Sequence, residues 1–402
     1  MLIDILTREY PPNIYGGAGV HVAELTRALR ARGDLDVNVR AFDEPVDEPG
    51  TTGYPPVEQL GDANAALRTL GVDLTIAADV LSAKPDIVHS HTWYANFAGH
   101  LASLVGGMPH IISAHSLEPM RPWKAEQLGG GYRLSSYVEK TSYEAAATVI
   151  AVSEGMRKDV LKSYPDLDPD KVKVVHNGID SDLWQPDTSD AAKEVLTEHG
   201  IDPDVPSVVF LGRITRQKGL PFLLKSLRQI PEDTQIILLA GAPDTPEIKD
   251  EVVALVDELR EEREGATIWI ADMLPREKVV AILSHATVFM CPSVYEPLGI
   301  VNLEAMACGA AVVATATGGI PEVVVHGETG WLVPIEQKDD GTGTPVDEKT
   351  YVDDFASALN EALSDPDRAR QMGEAGRKRA IGDFSWDTIA ERTMKVYSAV
   401  LD

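Results

Sequence analysis

Along most of the chain, short apolar runs rich in β-branched residues alternate with longer segments whose apolar positions recur at helical spacing. Leu2 to Leu6 reads as a strand and Ala18 to Arg32 as a helix that presents Val22, Leu25 and Leu29 on one face. Val37 to Phe42 is a second strand, and the acidic, proline-rich stretch Asp43 to Pro56 reads as a loop. From Asp86 the alternation runs through Ile87-Val88-His89, Trp93 to Val105, His110 to Ile112, Arg133 to Ala147, Val149 to Val152, Met156 to Tyr164 and Val172 to Val175. Polar, proline-punctuated sequence over 180–206 separates this series from another. The second series has strand patterns at Ser207 to Leu211, Gln235 to Ala240, Thr267 to Ala271, Thr287 to Cys291, Ala311 to Ala316 and Trp331 to Val333, with helical patterns between them. Strand–helix alternation of this kind predicts an α/β chain with two doubly wound parallel sheets, each covered by helices on both faces. Two domains of one architecture predict a cleft between them, and ligands of such sheets gather at the carboxyl ends of the strands. From Val352 onward the tail is helical in pattern throughout.

The stretch from Pro292 to Gly309 concentrates the chemistry. It follows the apolar run Thr287 to Cys291, turns at Pro297 and Gly299, and continues to Cys308 without a breaker, so a helix is expected to begin near Gly299. The first amides of a helix are unpaired and carry the positive end of its dipole, which makes the segment Leu298, Gly299, Ile300 and Val301 a seat for an anion. Glu296 stands just before that seat. Glu304 lies four residues beyond Ile300, on the same helical face. A solvated turn glutamate and a satisfied helix glutamate are the bland alternative. The apolar neighbours Leu303, Ala305, Met306 and Ala307 weigh against it, because a buried carboxylate needs partners such as sugar hydroxyls. A second loop, Gly212-Arg213-Ile214-Thr215-Arg216-Gln217-Lys218-Gly219, leaves the first strand of the same series, and Arg213 and Lys218 are placed to converge on phosphate oxygens.

In the first series the loop Tyr10 to Gly19 offers Gly16 and Gly17 for close backbone approach to a ligand. The dinucleotide fingerprint is only half present there, and the loop is too long for it, so a dehydrogenase is not expected. No P-loop occurs. His91, His115 and the trio His176-Asn177-Gly178 fall at strand ends. His89 and His91 share a strand face and could be read as metal ligands, but no third local ligand completes a site. The polar excursion Ser116 to Lys124 carries Glu118, Arg121 and Lys124, and Gly129 to Arg133, with Tyr132, has the glycine content of a segment that closes over a co-substrate. Arg121 and Lys124 are the candidate partners of an acceptor phosphate; Tyr10, Glu118, Tyr132, Arg133 and Asn177 complete the acceptor-side candidates.

Charge narrows the partners. Sixty-three Asp and Glu against 36 Lys and Arg give a formal charge of −27 over 402 residues, which repels nucleic acid and anionic membranes. A phosphate-bearing substrate must then be met by a local basic cluster. No apolar run reaches membrane-spanning length, the opening Met1 to Glu9 reads as a strand and not a leader, and the two cysteines, Cys291 and Cys308, suit a reducing cytosol. A cytoplasmic protein is the expectation.

Taken together, Glu296 and Glu304 at Glu-x7-Glu spacing, Gly212-Arg213 with Lys218, and the turn Gly318-Gly319-Ile320-Pro321-Glu322 resemble the retaining glycosyltransferases of the GT-B fold, over nearly the whole chain. The opening Leu6 to Pro12 with Tyr15 to Gly19, and Ser116 to Lys124 with Gly129 to Arg133, are similar to actinobacterial enzymes labelled glycogen synthase, some of which join ADP-glucose to glucose 1-phosphate. Tyr15 stands where more distant bacterial glycogen synthases have lysine, and Thr92 where they have aspartate. The resemblance implies two Rossmann-like domains, an acceptor-side domain over 1–186 joined by the terminal helix 386–402, and a donor-binding domain over 187–385. It implies that Glu296 binds donor-glucose hydroxyls, Glu304 the ribose and His115 the sugar near the reacting carbon, with the base met around Ala271, Asp272, Met273 and Leu274. Catalysis would then fall to His115, Arg213, Lys218 and Glu296, with no metal or other cofactor and with the departing phosphate taking the acceptor's proton. Alternatives left open are a long glucan, phosphoinositol or lipid-linked acceptor, UDP-glucose as donor, a nucleotide-sugar epimerase, and a non-catalytic nucleotide-sugar binder. The oligomeric state, a homodimer among the options, is not readable from the sequence.

Overall fold

The computed structural model describes residues 1–120 and 130–401. The chain forms two compact units, Met1–Gly178 with Trp386–Asp402, and Ile179–Ser385. The first is built on a sheet of seven strands: β1 (Leu2–Thr7), β2 (Asp36–Phe42), β3 (Thr51–Tyr54), β4 (Ile87–His91), β5 (His110–Ala114), β6 (Thr148–Ala151) and β7 (Val172–Val174). They lie in the order β3-β2-β1-β4-β5-β6-β7, every pair parallel. Strand order reverses between β1 and β4, the position at which doubly wound sheets bind ligands. Strands β4, β5 and β6 are buried along their whole length, so their apolar runs read without alternation.

The helix Gly17–Ala31 lays Val22, Leu25 and Leu29 on Ile3 and Ile5. The terminal helix Trp386–Leu401 adds Trp386, Ile389 and Tyr397 to the same cluster, which makes it part of this unit. On the other face, helices Ala65–Ala83 and Trp93–Gly106 contribute Val72, Ile76, Val80, Ala95 and Ala98.

Two elements differ from the expected pattern. The loop expected over 43–56 contains β3, an edge strand with a half-exposed, polar burial pattern and hence no apolar run; it is tied to β2 by Val39 N donating to Gly50 O at 2.7 Å. The helix Ala65–Ala83, which the apolar pattern did not announce, carries a fully buried Asp73 in the middle of its inward face, and that residue interrupts its period.

The second unit repeats the plan with β8 (Ser207–Arg213), β9 (Gln235–Gly241), β10 (Thr267–Ile270), β11 (Val288–Cys291), β12 (Ala311–Thr315) and β13 (Gly330–Val333), in the order β10-β9-β8-β11-β12-β13 and all parallel. Its order reverses between β8 and β11. Phe210, Leu238, Val313 and Trp331 from the sheet pack with Phe355 and Met372 from the helices Glu348–Ser364 and Pro366–Phe384. Helix starts carry the caps their residues dictate: Ser189, Thr245, Asp347 and Asp365 each accept a first-turn amide. Ile179 donates its amide to Phe384 O at 2.7 Å, so 179–186 belongs to this unit.

Candidate active site

In the second unit the loops after β8 and β11 flank the reversal of strand order, and they are locked together. Val294 N donates to Gln217 O at 2.9 Å, Gly319 N to Glu296 O at 3.0 Å, Tyr351 OH to Pro292 O at 3.2 Å and Gln337 Nε2 to Val294 O at 2.5 Å. Gly219, at φ +65°, and Gly318, at φ +53°, press on this segment so closely that a Cβ on either would lie 2.0 Å from Pro292 O or Glu296 O. Only glycine satisfies both the left-handed backbone and that contact. The 292–299 loop is therefore held through its backbone on both sides, by main-chain amides and by the side chains of Tyr351 and Gln337.

Helix Ile300–Ala307 begins as the sequence predicts, with Gly299 as its N-cap at φ 95° and no side-chain cap. Its amide end is thus open. Leu298, Leu303, Ala305, Met306 and Ala307 are buried, whereas Ile300, Val301 and Glu304 form the one partly exposed stripe. Lys218 Nζ donates to Glu296 Oε2 at 2.6 Å, and Ser293 Oγ donates to the same oxygen at 3.2 Å. Burial opposes the charge on Lys218, but the Glu296 carboxylate outweighs it and holds the ammonium above its usual range. Burial pushes the Glu304 carboxyl up to about 7, against the pull of Arg276 and Lys218.

Arg213 is placed differently from Lys218. Its side chain is 62% exposed and donates to Asp244 Oδ1 at 2.5 Å, so in this structure the two cations do not converge. Gly212, at the end of β8, lies 3.8 Å from Lys218 Cδ by the position a Cβ would take. Ala271, Asp272 and Met273 are exposed between β10 and helix Arg276–His285, Met273 at 95%, and Leu274 is partly buried.

In the first unit, histidines gather at the reversal between β1 and β4. His21 comes from the helix Gly17–Ala31, His91 ends β4 and His115 follows β5; one ring nitrogen from each lies within 4.8 Å of the others. His91 Nδ1 is 3.0 Å from His115 Nε2, and His21 Nδ1 is 2.7 Å from Asn177 Oδ1. His89 is occupied elsewhere, by Tyr397 OH at 2.7 Å and Ser113 Oγ at 2.9 Å. Burial lowers His21 to about 4, against the pull of its bond to Asn177; it lowers His89 to about 3 and drives His91 and His115 well below the usual histidine range, these three further opposed by neighbouring rings. The cluster is neutral at physiological pH.

The glycine loop holds a carboxylate of its own, since Tyr15 N and Gly16 N both donate to Glu9 Oε2 at 2.9 Å. Gly16 and Gly17 are exposed. Several acceptor-side candidates are committed within the unit. Tyr10 is buried, its hydroxyl donating to Glu48 at 2.8 Å; Glu118 is buried and accepts from Ser135 Oγ at 2.7 Å; Tyr132 OH donates to Glu118 O at 2.9 Å. Arg133 is exposed on the helix Gly130–Ala145. Arg121 and Lys124 lie outside the described residues. Sequence reasoning passed over Glu9, His21, Asp244 and Ser293. Only His21 left a signal, four residues after Gly17 and so on the same helical face.

A family model described as Glycosyltransferase Family 4 matches residues 15–183, and one described as Glycosyl transferases group 1 matches 192–379. An alpha-maltose-1-phosphate synthase from Mycolicibacterium smegmatis is 53% identical over 400 residues, covering 100% of each chain. A glycogen synthase from Mycobacterium tuberculosis is more distant, 27% identical over 99% of this chain and 95% of its own. Among solved structures, sucrose-phosphate synthase from Thermosynechococcus elongatus superimposes with a TM-score of 0.76 at 23% identity, covering 99% of this chain and 98% of that one. The two parallel α/β units agree with the fold of that structure, and the full-length likeness with the two family models shows that the chain belongs to the GT-B glycosyltransferases, in the family that contains the alpha-maltose-1-phosphate synthases.

Proposed function

We propose that the protein transfers glucose from ADP-glucose to the 4-hydroxyl of glucose 1-phosphate, with retention at the anomeric carbon, yielding maltose 1-phosphate and ADP. The observation that carries the reading is the Lys218–Glu296 pair at the open head of helix Ile300–Ala307. The bond between the anomeric carbon and the diphosphate breaks, and negative charge develops on the departing oxygen. Lys218, the helix amides and Arg213, once released from Asp244, stabilise it without a metal cofactor. The acceptor oxygen bonds to the anomeric carbon, and its proton passes to the leaving phosphate. Glu296 accepts from donor-glucose hydroxyls, Glu304 from the ribose, and His115, kept neutral by burial, contacts the sugar. The acceptor is supported by the full-length likeness to proteins named alpha-maltose-1-phosphate synthase. The cytosol is the expected compartment, in keeping with the two buried, unpaired cysteines.

The test is product identification with ADP-glucose and UDP-glucose offered in parallel against glucose 1-phosphate and glycogen. The expected result is one ADP released per maltose 1-phosphate formed, with ADP-glucose the better donor. Extension of glycogen with glucose 1-phosphate untouched would refute the acceptor assignment. Donor conversion without any acceptor would refute transfer.

A further inference from the structure

The three histidines at the first unit's strand reversal are arranged as ligands. His21 spends Nδ1 on Asn177 and leaves Nε2 buried with no hydrogen-bond partner; His91 spends Nδ1 on His115 and likewise leaves Nε2 buried and unpartnered. A buried ring nitrogen without a partner is unfavourable unless something fills the space. Asn177 Oδ1 fixes the proton of His21 on Nδ1, which presents Nε2 as a lone pair, the second-sphere arrangement that metal-bound histidines use. His89, two residues along the same strand, has both nitrogens satisfied and stands outside the set.

We propose that His21, His91 and His115 bind one divalent ion of the borderline transition-metal class, with zinc the reference, and that its arrival inhibits transfer. Imidazole ligands favour zinc, copper and nickel over magnesium and calcium. One nitrogen from each ring lies within 4.8 Å of the others, and tetrahedral bonds of about 2.0–2.1 Å need roughly 3.4 Å; the ion draws the rings together and displaces the His91–His115 hydrogen bond, which frees one lone pair on each ring. Three histidines leave a fourth position open. The binding claim stands on these residues alone. The inhibition rests on the proposed role of His115, whose lone pair the metal would take.

Purified full-length protein, stripped with a chelator, is dialysed against zinc chloride or cobalt(II) chloride and metal content is measured, with cobalt visible absorption reporting nitrogen ligation. One ion per chain is expected, with affinity at least about tenfold weaker in His21→Gln and about tenfold weaker in Asn177→Ala, which removes no ligand. His100→Gln, at a half-exposed histidine of the same unit, keeps wild-type binding. Circular dichroism checks that each variant folds, and Asn177→Ala serves if a ligand variant does not. No stoichiometric ion, or binding that His21→Gln and Asn177→Ala leave unchanged, overturns the site and leaves a pocket that holds water only. Stoichiometric binding with turnover unaffected overturns the inhibition and, with it, the role given to His115, while product identification without metal tests the transfer reading separately.

Discussion

The two units share one strand order and put their polar residues at the same topological place, yet their electrostatics are opposite. At the reversal between β1 and β4 the first unit gathers imidazoles that burial keeps neutral. At the reversal between β8 and β11 the second holds an ammonium and a carboxylate 2.6 Å apart, with another carboxylate one helical stretch further on. The scaffold therefore dictates where chemistry happens and not its sign. Hydroxyl-rich, uncharged sugar can be met by neutral rings, whereas a diphosphate that gains charge as it leaves needs a cation held in place beforehand.

The most severe test of that contrast removes half of the charged pair. Lys218→Met leaves Glu296 largely buried without its cation, and a loss of about 3–5 kcal/mol in stability is expected by denaturant titration. Turnover should fall by about 100-fold or more at saturating donor. The double variant Lys218→Met, Glu296→Leu recovers most of the stability and none of the activity. If activity returned with stability, the pair would be a packing device and the contrast between the units would collapse.

A gentler test uses pH, because His110 in the first unit and Glu304 in the second should respond with opposite signs. His110, beside Ser90 and buried, is lowered to about 3 by desolvation and by His100. Its unfolded form takes a proton near 6.5, so the stability it contributes is present above that pH and is lost as pH falls toward 3, by about 3 kcal/mol at pH 4.5. Asp73 in the same unit, raised by burial, has the reverse slope, so the measured quantity is the difference between wild type and His110→Gln, in which Asp73 cancels. Glu304 in the second unit is raised from 4.5 to about 7. Its folded form keeps a proton that the unfolded chain releases, so stability falls as pH rises through that interval, by at most about 3 kcal/mol and by less where its partly exposed surface meets water. Glu304→Gln should flatten that slope. Equal signs in the two variants would show that the units bury their groups alike.

Much of this organisation was legible before any coordinates. Thr287 to Cys291, the breaker at Gly299 and the uninterrupted run to Cys308 announced a strand, turn and helix, because apolar period and glycine placement act locally. Glu296 and Lys218 were each singled out, but their mutual bond was not, since 78 positions separate them and only the parallel pairing of β8 with β11 brings their loops together. The same holds for the histidines: His91 and His115 were visible at strand ends, while the third ring came from a helix in place of the adjacent His89. Arg213 was expected on phosphate and is turned to Asp244, because an unpaired guanidinium finds the nearest carboxylate. The edge strand β3 and the helix with Asp73 inside it escaped the pattern for one reason, a polar residue where the period calls for an apolar one.

The smallest effect lies at the two helix starts that follow the central strands. After β11 the second unit uses Gly299 at φ 95°, where glycine has no Cβ to strain. After β4 the first unit puts Thr92 at φ 62°, ψ 160°, a region that β-branched residues avoid at a cost of about 1–3 kcal/mol. Thr92→Gly relieves that strain while giving the unfolded chain about 0.4–1 kcal/mol of extra conformational freedom, so a net gain of roughly 1 kcal/mol is expected in thermal or denaturant unfolding. Thr92→Ala keeps the unfavourable φ and should gain far less. A loss of stability in the glycine variant would mean that the threonine side chain, partly buried beside His91, holds the turn more firmly than its backbone resists it. The first unit's ring cluster would then depend on a packed threonine at the turn where the second unit's charged pair is followed by a glycine with no side chain to pack.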